Sequence, residues 1–139
     1  SLDGLGDPQL SWVVECDGLR VFPRRRHHLP RPLVVDRAPV RPVDVAFVPI
    51  NGPVVELPHL QPPSPFHAAM LPEEAAVAAH ILGARIAVPM HYGTLNKPPI
   101  YVETPRAVER FERRARELGI TPLVVPYGEW FEPSVAPVH

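Results

Sequence analysis

His91 is the residue of this chain whose type and setting point most directly to chemistry. It follows Val88-Pro89-Met90 and precedes Tyr92-Gly93, so an imidazole stands just past a short apolar strand, with a glycine that lets the backbone turn back. A neutral imidazole there can ligate a metal ion, and it can equally be a hydrogen-bonded loop or core side chain. One histidine does not make a centre, because catalytic zinc takes at least three protein ligands and keeps a position open for water. The other histidines offer little by spacing alone. His27 and His28 are adjacent, and adjacent side chains rarely converge on one ion. His59 and His67 fall in or beside a proline-rich loop, His80 belongs on a helix surface, and His139 is the last residue.

The elements that must position these residues follow from period and punctuation. Residues 10–15 and 19–22 flank Asp17-Gly18, a two-residue hairpin signal. Residues 43–48 are nearly all apolar, as a strand covered on both faces should be. A helix over 72–82 opens on Pro72 with Glu73 and Glu74 in its first turn, where the helix dipole favours negative charge. Its cap is poor, since Leu71 stands where Ser or Thr would accept the free amide protons. Gly83 closes it, and residues 84–88 form the next strand. A second helix runs over 104–118, with Thr104 as its cap and Pro105 at its start. Val108, Phe111, Ala115 and Leu118 line one face, and Gly119 ends it. Arg106, Glu109, Arg110, Glu112, Arg113, Arg114 and Glu117 make the opposite, solvated face. Residues 120–125 supply a last strand. Strand, helix, strand, helix, strand is one side of an α/β layered domain.

Composition limits the function classes. The chain has 139 residues, 45% hydrophobic, with a formal net charge of −1, which fits one modest core and gives no electrostatic footprint for nucleic acid. The Arg-rich face of the second helix carries too much Glu for such a footprint. No apolar run reaches bilayer length, and the N-terminus lacks a basic-then-apolar signal. A cytoplasmic chain with neither nucleic-acid nor membrane partners is expected. Cys16, the single cysteine, excludes an internal disulfide and is expected to be a buried strand residue. About half of the 21 prolines fall within 23–42 and 49–65, which therefore read as loops. Within the second, Gln61-Pro62-Pro63-Ser64-Pro65 is a stiff rim; a polyproline ligand is the lesser reading. The chain opens abruptly on Ser1-Leu2-Asp3-Gly4, as if cut from something longer.

The Pro-Ile-Asn-Gly turn at residues 49–52, the Met-Leu-Pro-Glu-Glu-Ala helix start at 70–75 and Pro89-Met90-His91-Tyr92-Gly93 together resemble the C-terminal half of a metallo-β-lactamase-fold hydrolase. The group in question is that of ascorbate-6-phosphate lactonases and related phosphodiesterases, and the match covers 10–22 and 43–131. The resemblance implies an α/β fold that is one half of a four-layer αββα sandwich, with residues 1–139 as that C-terminal half. It implies a zinc-dependent hydrolase of lactones, esters or phosphodiesters, with two zinc ions acidifying a bound water in the intact family, and a small-molecule substrate. Carried onto this chain, the zinc ligand is His91, and His59, His67 and Tyr92 are the residues that would touch substrate. Glu129, after Gly128, matches a recurring Gly-Glu and more readily fixes a loop than performs catalysis. Half a sandwich also leaves a sheet face uncovered, which implies self-association.

The departures from the family are as informative as the matches. The family's His-x-His-x-Asp-His loop occurs nowhere in this sequence, and its bridging aspartate belongs to a Gly-Asp-Thr motif where this chain has Pro23-Arg24-Arg25-Arg26-His27-His28. No zinc bound stoichiometrically and no catalytic residue are therefore expected of this chain alone. A non-catalytic binding or assembly module that kept the fold and lost the metals is the competing class. The substitution has a candidate cause. Back-translating 23–42 with GC-rich codons and shifting the frame by one base gives a text beginning His-Gly-Gly-Asp-Thr, and out-of-frame GC-rich sequence explains a segment crowded with Pro and Arg. A solvated basic loop or a phosphate-binding patch are the other readings of residues 24–28. Asp44 could pair with that basic loop, and Asp36, inside the anomalous stretch, is not carried over as a ligand.

Overall fold

The computed structural model of the chain describes residues 13–23, 42–55, 66–67, 70–94 and 96–133. The expectations for 24–41, with His27, His28 and Asp36, and those for the 56–65 rim, His59 and His139 lie outside the described residues.

Strands β1 (Val14–Cys16) and β2 (Leu19–Pro23) pair antiparallel across Asp17 and Gly18. Both turn residues have positive φ, 50° and 78°, the primed-turn geometry whose twist suits a two-residue hairpin. Cys16 is exposed, not buried, because β1 is the outermost strand of its sheet and all three of its residues face solvent.

The remaining elements are β3 (Val45–Pro49), β4 (Val54–Val55), β5 (Phe66–His67), α1 (Pro72–Ile81), β6 (Ile86–Met90), β7 (Tyr101–Val102), α2 (Ala107–Glu117) and β8 (Thr121–Pro122). The main sheet has the order β1-β2-β3-β6-β8. Its last four strands are mutually parallel, with Val45 opposite Ile86 and Pro49 opposite Met90 at the centre. A mixed α/β layer is thus present, with β3, α1, β6, α2 and β8 alternating as the sequence predicts. The strand expected over 120–125 is regular only at Thr121–Pro122, since Pro122 and Pro126 cannot donate to a ladder. Leu123 still donates to the Ala87 carbonyl at 2.9 Å. A second sheet, β5-β4-β7, is antiparallel and places Val54 and Val55 in a strand where the sequence reads as a proline-rich loop.

Prolines also decide where the main sheet stops. The Met90 carbonyl accepts from Ile50 at 3.1 Å and the Ala87 carbonyl from Leu123, so alternate residues of β6 face its two neighbours and Pro89 faces β8. The pairing with β8 has ended by then, at Ala87 opposite Pro122. By the same alternation Pro49 faces β2, whose pairing ends at Phe47. Neither missing N–H falls within the described pairing on its side.

Both helices cover one face. Phe22, Ala46, Val48 and Ala87 of the sheet, the alanines of α1, and Phe111 and Ala115 of α2 form one buried cluster, with Val108 and Leu118 half-buried against it. Ala75, Ala76, Ala78 and Ala79 are the buried side of α1, small enough to let that helix lie close to both sheet and α2. Phe111 is wholly buried, a burial that stabilises by about 1.5–3 kcal/mol. The other face carries Val45, Ile86 and Val88, also buried, rimmed by half-buried Val21, Phe47, Leu123, Val125 and Phe131. That face is not bare, because the Phe131 ring packs on Phe47 with centroids 6.0 Å apart.

At the helix starts one expectation holds and one changes. α1 has no side-chain cap at Leu71, yet the Leu71 N–H donates to Glu74 Oε2 at 2.9 Å, so an acidic third residue does part of the capping. α2 begins at Ala107 rather than at Pro105, because Arg106 adopts φ 50°, ψ 40° and breaks the turn. Thr104 is consequently not the cap. Among the described residues the Asp44 carboxylate accepts from the Arg20 N–H at 2.9 Å and pairs with Arg85 at 3.2 Å, tying β2, β3 and the start of β6 together; its expected pairing with the basic loop lies outside the described residues.

Candidate functional site

In an open parallel sheet the loops at the carboxyl ends of the strands form the natural ligand edge. Here that edge is built from the residues after β3, Ile50 to Gly52, and those after β6, His91 to Gly93. His91 is exposed, directly past Met90, and adopts φ 57°. Tyr92 is half-buried against the helix-side core. Burial pushes its phenol above the usual range, with Tyr127 and Glu112 adding to the effect, so it stays protonated at neutral pH. His67 lies on β5, opposite Val54 of β4, in the small sheet that β7 completes.

The residue between these loops that sequence reasoning overlooks is Asn51. It is buried, 3% exposed, and a buried amide must be hydrogen-bonded. Its Nδ2 donates to the Tyr101 hydroxyl at 3.1 Å. Thr104 closes the other side, its hydroxyl donating to the Gly52 carbonyl at 3.1 Å and its N–H reaching Asn51 at 3.4 Å. Gly52, at φ 34°, suits this turn, since an added Cβ would sit tightly, 3.0 Å from the Leu71 side chain and 3.1 Å from the Met70 carbonyl. Thr104, expected at a helix cap, thus locks the turn after β3 to the segment before α2.

The loop after β6 is held in its own way. The Gly93 N–H donates to the Glu103 carboxylate, whose own N–H donates to Asn96 Oδ1 at 3.2 Å. The Tyr127 hydroxyl donates to the Tyr92 carbonyl at 2.6 Å. Glu129 is exposed, and its N–H donates to the Pro126 carbonyl at 3.1 Å, a turn role. Asn51, Tyr101, Glu103 and Tyr127 carry no spacing signal; the Asn-Gly pair after an apolar strand marks a turn without marking its asparagine as buried.

A resident metal asks for several of His, Cys, Asp or Glu together. Among the described residues no three such groups are placed to hold an ion, so these residues do not by themselves fit the metal that the resemblance implies. Nor is any helix among them long and apolar enough to cross a membrane.

Comparison with known proteins gives this edge its context. No family model matches the chain. It is 46% identical over 77 residues to a UPF0173 metal-dependent hydrolase of Rubrobacter xylanophilus, covering 55% of this chain and 24% of that protein. It is 36% identical over 93 residues to a UPF0173 metal-dependent hydrolase of Listeria monocytogenes serotype 4b, covering 67% of this chain and 32% of that one. The chain therefore spans about a quarter to a third of the length of these curated relatives. In structure it is similar to Igni18, a metallo hydrolase from Ignicoccus hospitalis, with TM-score 0.54, 23% identity, 86% of this chain and 43% of that one. By sequence the chain resembles part of a metal-dependent hydrolase, and it shares a mixed α/β fold with a metallo hydrolase.

Proposed function

We propose that this chain is the C-terminal portion of a zinc-dependent hydrolase of lactone, ester or phosphodiester substrates, in which His91 is one ligand of a two-zinc site. The single observation that carries the reading is the place of His91: exposed, at the carboxyl end of a central parallel strand, in a chain similar to metal-dependent hydrolases. The remaining ligands belong to sequence that this chain lacks, including the Gly-Asp-Thr that a one-base shift recovers within 23–42. On its own the chain holds no stoichiometric zinc and hydrolyses none of these substrates, because one neutral imidazole cannot retain zinc against water.

Metal analysis and calorimetry on the purified chain test the first half of this reading. Tight one-to-one zinc binding abolished by His91→Ala would show that residues such as His59 or His67 complete a site within the chain. The second half is tested by restoring the shifted segment and an upstream half carrying His-x-His-x-Asp-His. Zinc and hydrolysis should then return, and His91→Ala should remove most of the activity. A second reading is a binding or assembly module that kept the fold and lost the metals. It predicts that the restored protein stays inert.

A further inference from the structure

The peptide unit that follows Tyr92 is gripped at both ends. Its carbonyl, on Tyr92, accepts from the Tyr127 hydroxyl at 2.6 Å, and its N–H, on Gly93, donates to the Glu103 carboxylate. The polarity suits the peptide dipole, with an acid at the N–H end and a hydroxyl donor at the carbonyl end. The two grips come from separate parts of the chain, one from the segment before α2 and the other from the segment after β8. Tyr127 is 73% exposed, so burial does not hold it. Its ring lies 6.3 Å from that of Tyr92, and its segment is anchored further on by Phe131 against Phe47.

Next to this peptide stands backbone in an uncommon conformation. His91 has φ 57° and Gly93 φ 69°, and a left-handed non-glycine residue persists only when its surroundings over-determine it. We propose that Glu103 and Tyr127 are positioning residues for His91: by fixing the peptide plane after Tyr92 from both ends, they set the direction in which the imidazole leaves the end of β6. This rests on the reading of His91 as the residue that this edge contributes to a hydrolytic site. Fixing that direction is what a first ligand needs, since small angular errors at a site are costly.

The test is nuclear magnetic resonance on the chain as it stands, free of metal and substrate. It compares the parent with E103A, E103Q and Y127F and reads amide exchange at Gly93 together with the ring signals of His91 and of His80, exposed on α1. E103A and Y127F should each speed exchange at Gly93 by about tenfold or more and shift the His91 ring signals, leaving those of His80 in place. E103Q, whose amide oxygen still accepts, should stay within about threefold of the parent. The proposal is overturned by any of three results: His91 ring signals unmoved in both E103A and Y127F, E103Q as fast as E103A, or faster exchange spread through α1 and β6. Should E103A fail to fold, Y127F decides, since it removes one hydroxyl from an exposed ring. Metal plays no part in these readouts, so failure here counts against the clamp alone, whereas the hydrolase reading fails on zinc and activity in the restored protein.

Discussion

Arg110 reaches from α2 to α1 with two parallel hydrogen bonds, Nε to Glu73 Oε1 at 2.6 Å and Nη2 to Oε2 at 2.8 Å. The sequence places it on a solvated face, but it is half-buried and fixes one helix to the other. Its hydrogen bond holds the Glu73 carboxyl below the usual range, against a smaller opposing effect of burial, and Glu73 in turn raises Arg110. A carboxyl whose folded pKa is depressed contributes stability that is complete above its unfolded pKa and is lost as pH falls through the folded one. Urea midpoints should therefore drop between about pH 5 and pH 3 in the parent. In Arg110→Met part of that drop should be missing, and the neutral-pH stability should be lower by about 0.5–1 kcal/mol, a figure kept small by the exposure of the pair. A pH profile in Arg110→Met identical to the parent's would mean that the pair carries no linked protonation.

At the scale of elements, α2 starts on a residue that its backbone does not suit. Arg106 sits at φ 50° and, among the described residues, its side chain has in return a long contact to Glu109 at 4.0 Å. Arg106→Gly should stabilise the protein by about 0.5–1 kcal/mol, because glycine reaches that region freely and also serves at an N-cap, a gain that thermal melts can read. Loss of stability in that variant would place the value of Arg106 in its side chain. The elements most legible in the sequence are those specified locally. Asp17-Gly18, the apolar run of β3 and the i, i+3, i+7 face around Phe111 each carry their own pattern, and each forms as expected. The small sheet is illegible for the opposite reason: two-residue strands have no period. At the site, His91 is marked by its local motif, while Asn51 finds Tyr101 50 residues away, a pairing that no local pattern encodes.

At the scale of the whole molecule, a prediction concerns the second sheet face. Val45, Ile86 and Val88 are covered, and Phe131 contributes to the rim around them through its contact with Phe47. Exposed Trp130, at 98%, and Tyr127 extend the apolar character of that segment to the surface. Apolar area returned to water costs about 25 cal/mol per Å², so Phe131→Ser should increase self-association, seen as faster sedimentation with rising protein concentration. Unchanged sedimentation would mean that this face is closed by other residues.

The register between β2 and β3, Val21 opposite Val45, is made by residues on either side of the connection 24–41. Doubling a connection's length costs only about 0.6 kcal/mol of closure entropy. The ladder on either side is specified by Val21, Phe22, Val45 and Ala46, none of which lies in the interval. The pairing of β2 with β3, and that of β3 with the strand that ends just before His91, are thus written outside the connection between them.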